Sequence, residues 1–353
     1  MSEQGGFADG VLVRAMEAGA SDVHLEPIAG GYEVKFRVDG VLETVERVPE
    51  DVGRSAVLRL MVMAQLLTYR LDIPQEGRVR FGLPGDGGRP VDLRLAVIPV
   101  AHGLRAVVRL PAELSQPRVL KELGLPAGCV AGLEGFARSD SGMLLVTGPA
   151  GSGKTTTIYA LLEYLAAESP GLSIITLEDP IERLLKGITQ IEVTPHGQLT
   201  YERALKSILR QDPQVLMLGE IRDAGTASLA VQAALSGHRL IATLHAGDPA
   251  TAISRLLEMG LEPYQITSSI YGVLTQRLVR KRDGEKYRGR VPVAEFGGMS
   301  GEIGKAVLGR ADANELRKLF DSQPGHVRLS AVADALMAEG VTDEAEIRRV
   351  LGG

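Results

Sequence analysis

Apolar and polar positions alternate in two stretches near the start of the chain. From Tyr32 to Val38 the apolar residues are separated by Glu33, Lys35 and Arg37. Asp39-Gly40 then leads into Val41-Leu42, which predicts a β-hairpin closed by a primed turn. Val91, Leu93, Leu95 and Val97 repeat the alternation, and after His102-Gly103 it returns through Ala106 and Val108. Residues 1–110 are therefore expected to form an α+β domain. The segment 111–126 (PAELSQPRVLKELGLP) holds three prolines and reads as a linker.

From residue 127 the pattern changes to short apolar runs, each followed by a helical repeat, as in a mostly parallel sheet covered by helices. Met143 to Thr147 is the first such strand. The helix after it places Ile158, Leu161, Leu162, Leu165 and Ala166 on one face. Leu172 to Leu177 is the next strand, and a helix carrying Tyr201, Leu205, Ile208 and Leu209 leads to a third at Val215 to Leu218. Another helix runs from about Ala224 to Gly237, and Leu240 to Leu244 follows as a strand. Asp248-Pro249 supplies an N-cap and a first-turn proline for a helix with Ile253, Leu256 and Leu257 inward, ending at Gly260. The fold class is thus α/β, with a core domain at 127–296 and short helices with a polar surface at 297–353.

Composition narrows the class. At 353 residues the chain exceeds one typical domain, and 44% hydrophobic with 24% charged residues excludes a mainly disordered or fibrous protein. A net charge of −5 gives no global field for nucleic acid or anionic lipid. The single cysteine, Cys129, excludes an intrachain disulfide and a multi-cysteine zinc site within one chain. The longest apolar stretch, Val57 to Leu67, is short and broken by Arg59, and MSEQGGFADG lacks the features of a signal peptide. A cytoplasmic protein that reaches a membrane only by binding something is expected.

The chemistry concentrates in the second part. Gly148-Pro149-Ala150-Gly151-Ser152-Gly153-Lys154-Thr155 fits the phosphate-binding pattern G-x-x-x-x-G-K-[ST], stands between a predicted strand and a predicted helix, and is followed by Thr156. Glycines there let successive N–H groups point at phosphate while the helix N-terminus adds partial positive charge. Lys154 is expected to reach the β- and γ-phosphates and Thr155 to bind Mg²⁺. Ile174-Ile175-Thr176-Leu177-Glu178-Asp179-Pro180-Ile181-Glu182 puts carboxylates at the carboxyl edge of the sheet, where they suit Mg²⁺ or an attacking water. Leu216-Met217-Leu218-Gly219-Glu220 places another carboxylate after an apolar strand, for Mg²⁺ or its water shell. His238 and His245 bracket the fourth strand, a position open either to ordinary polar residues or to sensing of the γ-phosphate.

Taken together, GPAGSGKTTTIYAL, ITLEDPIE, LRQDPQVLMLGEIRDAGTA and GHRLIATLHAGD resemble the Walker A, Asp box, Walker B and His box of the secretion-type ATPases. These power type II secretion, type IV pilus assembly and competence pseudopili (the GspE/PilB group). RLLEMGLEP, GVLTQRLVRK and YRGRVPVAEF continue the likeness, and SDVHLEP, VKFRVDGVL, PQEGR and VDLRLAVIPVAHGLRAVVRL extend it toward the N-terminus. The resemblance implies a RecA-like P-loop ATPase core, a PAS-like N-terminal domain and a hexameric ring acting on a polytopic inner-membrane platform protein. It assigns Lys154 and Thr155 to phosphate and Mg²⁺, Glu178 to water activation, Glu220 to the Mg²⁺ shell and His245 to nucleotide sensing. Arg94 and Arg109, in strands flanking His102-Gly103, correspond to the family's arginine fingers, although by pattern alone they would be surface residues.

The four-cysteine zinc module that many relatives carry is missing between Arg280 and Tyr287, so no zinc is expected. An additional N-terminal docking domain is likewise not expected, because the first domain begins almost at Met1. The tail from Val327 to Gly352 looks like that of an assembly ATPase and lacks the AIRNLIRE-like helix of retraction motors, which favours assembly over retraction. A nucleic-acid translocase is disfavoured by 4% aromatics and no Trp, so no nucleic-acid partner is expected. A nucleotide-binding regulator without hydrolysis is disfavoured by Lys154, Glu178 and Glu220.

Overall fold

The computed structural model describes residues 6–82, 90–110, 119–194 and 197–352. It divides into two compact units, Met1–Gln116 and Pro117–Gly353. Of the expected linker, residues 111–118 lie outside the described residues. Its second half turns through a short 3₁₀ helix, Leu120–Leu123, whose buried Leu120 joins Leu125 in a core cluster of the second unit.

The first unit contains α1 (Phe7–Glu17), β1 (Asp22–Ile28), β2 (Gly31–Val38), β3 (Val41–Pro49), α2 (Glu50–Met63), β4 (Gln75–Gly82), β5 (Pro90–Val100) and β6 (Gly103–Arg109). The sheet order is β3-β2-β1-β6-β5-β4, with every neighbouring pair antiparallel. At the turn between β2 and β3, Asp39 and Gly40 both have positive φ, 48° and 85°, as a primed turn requires. Val11, Leu12 and Ala15 of α1 and Val57, Leu60 and Met61 of α2 share one core with Val23, Leu25, Val34, Leu93, Leu95, Ala106 and Val108 of the sheet. Gly53 lets α2 come close, since a Cβ there would stand 2.3 Å from the Tyr32 ring. Along β2 the alternate residues Glu33, Lys35 and Arg37 carry charge, which is the two-residue period seen in the sequence.

In the second unit α3 (Ala127–Ala137), β7 (Gly142–Thr147), α4 (Lys154–Glu168), β8 (Ile174–Glu178), β9 (Thr189–Glu192), α5 (Tyr201–Ile208), β10 (Val215–Leu218), α6 (Ala224–Leu235) and β11 (Arg239–Leu244) follow in turn. Next come α7 (Pro249–Glu258), α8 (Pro263–Ser269), β12 (Ile270–Asp283), β13 (Lys286–Gly298), α9 (Gly301–Leu308), α10 (Ala313–Asp321), α11 (Leu329–Ala338) and α12 (Glu344–Leu351). The sheet order is β13-β12-β7-β11-β10-β8-β9, parallel from β12 to β9, with β13 antiparallel at one edge. Strand parity splits the core. Met143 and Leu145 pack with α5, α6 and α7, whereas Leu144 and Val146 pack with α3 and α4 on the opposite face. Burial on both faces explains why β7, β10 and β11 read as unbroken apolar runs.

The structure differs from the sequence reading at two places that matter below. The strand expected at Leu172 to Leu177 begins at Ile174 and extends through Glu178. Residues 270–298, read only as family-like motifs, form the long hairpin β12–β13, linked around Gly284. Its pattern is mixed because β12 is buried at its start and exposed at its end. Among the described residues no helix is long and apolar enough to cross a membrane.

Candidate nucleotide site

β7 ends at Thr147 and α4 begins at Lys154, so the glycine-rich segment spans the gap between a central strand and a helix N-terminus. Gly148, Gly151 and Gly153 have φ of 144°, 74° and 87°. Gly148 also has no space for a side chain: a Cβ would lie 2.4 Å from the carbonyl oxygen of Gln276 and 2.6 Å from Ser152 Oγ. β12 crosses directly beside the loop. Thr147 and Thr275 hydroxyls meet at 2.7 Å, and buried Gln276 donates from Nε2 to the Ser152 carbonyl at 2.6 Å. Pattern reading along the chain missed Gln276, because the residue it holds lies more than a hundred positions upstream. The only available signal was its place in the QRLVRK motif.

Lys154 Nζ donates to the carbonyls of Gly148 and Pro149, 2.9 Å each, folding the side chain back over the loop. Burial pushes its ammonium below the usual lysine range; Arg277 acts in the same direction, while Glu220 and Glu182 oppose it. Thr155 Oγ1 donates to Glu182 Oε1 at 3.4 Å. Thr156 follows in the first turn of α4, half-buried. Pro149 and Ala150 form the exposed bend of the loop, and Ser152 Oγ is buried without a partner.

Glu220 follows β10 by two residues. It accepts a short bond from Arg222 and lies 3.7 Å from His245 Nε2. β10 and β11 run parallel, so both residues emerge at the carboxyl edge of the sheet. His238, at the other end of β11, instead approaches the Ala233 carbonyl at 2.9 Å through Nδ1. The two histidines are thus separated by the length of the strand, and only His245 joins the phosphate-loop edge.

Glu178 is placed differently from an exposed loop carboxylate. It is the last residue of β8, pairs in register with Glu192 of β9, and is 3% exposed. Tyr159 donates to its Oε2, and Thr176 and Gln190 donate to its Oε1 at 2.6 and 3.0 Å.

Arg94 and Arg109 belong to the first unit. They are direct cross-strand partners on β5 and β6, at the end of the hairpin away from the His102-Gly103 turn. Both are exposed, and Arg109 Nε donates to buried Asp22 at 3.1 Å. The sequence reading placed them in the two strands flanking that turn, and the register sets them directly opposite each other, with β4 opposing Arg94 through Arg78.

A parallel sheet with a glycine-rich loop at a helix N-terminus, and acidic and histidine side chains at the neighbouring strand ends, defines a RecA-like P-loop fold. Residues 6–349 match the family described as Type II/IV secretion system protein, and the chain belongs to that family. It is 40% identical over 344 residues to the Type II secretion system protein HxcR of Pseudomonas aeruginosa, covering 95% of this chain and 72% of that protein. It is 44% identical over 270 residues to the Type II secretion system ATPase E of Vibrio cholerae, covering 76% of this chain and 53% of that one. Among solved structures, the ATPase DotB of Legionella pneumophila shares the fold with a TM-score of 0.81 at 22% identity, over 97% of this chain and 94% of that chain. The chain spans about half the length of several curated type II secretion relatives that it matches.

Proposed function

We propose that this chain is a motor that hydrolyses Mg²⁺-ATP to drive assembly of a type II secretion apparatus, pilus or pseudopilus. The observation that carries the reading is the loop 148–153, built without side chains at Gly148 and Gly153, where β12 presses on it, and followed at once by Lys154 and Thr155. The backbone N–H groups of Gly151 to Thr155 and the ammonium of Lys154 would hold the phosphates, and His245 would report on the terminal one.

The residues present suit Mg²⁺, a hard cation that takes oxygen ligands. Thr155 Oγ1, facing a carboxylate, would bind it, and Glu220 would hold its water shell. When bound, the ion would neutralise charge developing on the transferred phosphoryl group. Glu178 carries the family's water-activating assignment, and Arg94 and Arg109 its arginine-finger assignment. A homo-hexamer working at the cytoplasmic face of the inner membrane on a polytopic platform protein fits the family and a chain whose described helices include no membrane span.

Phosphate release by the parent and by Lys154→Ala tests the reading. Turnover is expected to vanish in the variant with little change in thermal midpoint, because the side chain touches only loop carbonyls. Retained turnover refutes the assignment of this loop.

A further inference from the structure

Gln276 meets the phosphate loop at both of its ends. Thr275 pairs in register with Thr147, the last residue of β7, so Gln276 stands one position further on, level with the start of the loop. Its carbonyl oxygen lies 2.4 Å from where a Cβ of Gly148 would be, and its Nε2 lies 3.0 Å from where a Cβ of Gly153 would be. The orientation of its amide is settled by chemistry. The Ser152 atom it faces at 2.6 Å is a carbonyl oxygen, which only accepts, so Nε2 is the atom turned toward it. Oε1 is left buried without a hydrogen-bond partner among the described residues. The side-chain amide thus makes one bond in the chain, and that bond is to the loop.

The bond fixes more than a carbonyl. Ser152 C=O and Gly153 N–H belong to one planar trans peptide unit and point in opposite directions. With the carbonyl held against β12, the Gly153 N–H is aimed away from that strand, at the end of the loop where α4 begins. It donates to no acceptor among the described residues. Rotation of this peptide unit would chiefly change the φ of Gly153, and glycine accepts either sign of φ, so the loop's own sterics offer little resistance to a flip. A donor on the carbonyl supplies that resistance and also polarises the unit, which makes its N–H a stronger donor.

We propose that Gln276 is a positioning residue for the nucleotide phosphates: it holds the Ser152–Gly153 peptide unit so that the Gly153 N–H faces them. This rests on the Mg²⁺-ATP reading above and deepens it. Gln276 acts through the loop backbone, from a strand more than a hundred positions further along the chain. A backbone N–H that grips phosphate does so both before and during transfer, so its loss weakens the bound substrate and the transition state alike. The signature is a raised KM with kcat nearly unchanged.

The test is the affinity of the fluorescent probe mant-ATP in EDTA, alongside KM and kcat from phosphate release with MgCl₂ and a thermal melt. Gln276→Met keeps the length of the side chain and removes the donor. It is expected to bind mant-ATP about tenfold more weakly and to raise KM about as much, the lower end of what a hydrogen bond to a charged group is worth, with kcat within about threefold of the parent. Val279→Ala, further along β12 and fully buried in a separate cluster with Val293 and Ala333, should lower the melting midpoint and leave mant-ATP affinity at the parental value. If Gln276→Met shows no melting transition, Gln276→Asn carries the test, because its amide is one methylene too short to reach the Ser152 carbonyl and should weaken binding in the same way. Parental affinity and KM in the Gln276 variant, or an equal loss of affinity in Val279→Ala, would overturn the proposal. If Lys154→Ala is inactive while the Gln276 variant binds as the parent does, this inference alone fails; if Lys154→Ala is as active as the parent, the nucleotide reading fails first.

Discussion

Glu346 offers a test of what holds the last helix to the sheet that carries the phosphate loop. The side chain is fully buried at the start of α12 and accepts from Arg280 N and Nε at 2.9 Å each, and from Arg349 Nε and Nη2 at 2.7 and 2.6 Å. Burial would raise its carboxyl. The hydrogen bonds from Arg349 and Arg280 overcome that and bring it from 4.5 down to about 2. A carboxylate whose pKa is lower folded than unfolded stabilises the fold above the unfolded value, and that contribution fades as pH falls from about 4.5 to about 2. That lowering is worth roughly 3 kcal/mol at neutral pH and about 1 kcal/mol near pH 3. Glu346→Gln keeps the shape and the bond from the Arg280 N–H, so the expected loss at pH 7 is about 2 kcal/mol, or roughly thirtyfold in local opening. Hydrogen exchange of the amides in Glu344–Leu351 reads this directly, and comparison at pH 7 and pH 3 gives the sign. The gap between parent and variant should narrow in acid. Equal protection at pH 7, or a gap that widens toward pH 3, would refute the electrostatic account of how α12 is anchored.

Other expectations concern the site and the assembly. Glu220→Gln should bind mant-ATP with near-parental affinity yet lower phosphate release by at least about tenfold, since the amide keeps the shape and loses the charge that holds the metal's water shell; parental turnover would reassign it. Arg94→Ala and Arg109→Ala should each lower turnover at saturating ATP by about tenfold or more, with ATP affinity changed much less; unchanged rates in both would make them surface residues of the first unit. Light scattering with an ATP analogue should give the mass of six chains, and elemental analysis of that species less than one zinc per chain; a monomer or stoichiometric zinc contradicts the family-based expectation.

Much of the second unit was legible because its signals are local. Four apolar runs give β7, β8, β10 and β11, Asp248 caps its helix through the Thr251 N–H group, and the loop 148–155 sits between strand and helix. Each depends on neighbours within one turn or one strand, so residue order alone specifies it. The Asp39-Gly40 turn was legible for the same reason.

What the tertiary structure decided depends on residues far apart in the chain. Gln276 supports the phosphate loop only because β12 lies next to β7, a neighbour relation that no local period encodes. The pairing of Arg94 with Arg109 follows from hairpin register, and one position decides which face and which end a side chain occupies. His238 and His245 look equivalent in sequence, yet the parallel direction of β11 sends only the second to the phosphate-loop edge. For the three carboxylates at the strand ends, sequence supplied the charge and tertiary packing supplied its direction. Glu178, the last residue of β8, is buried and meets Tyr159, because a buried carboxylate must find donors where the fold provides them, while exposed Glu182 in the loop beyond it meets Thr155.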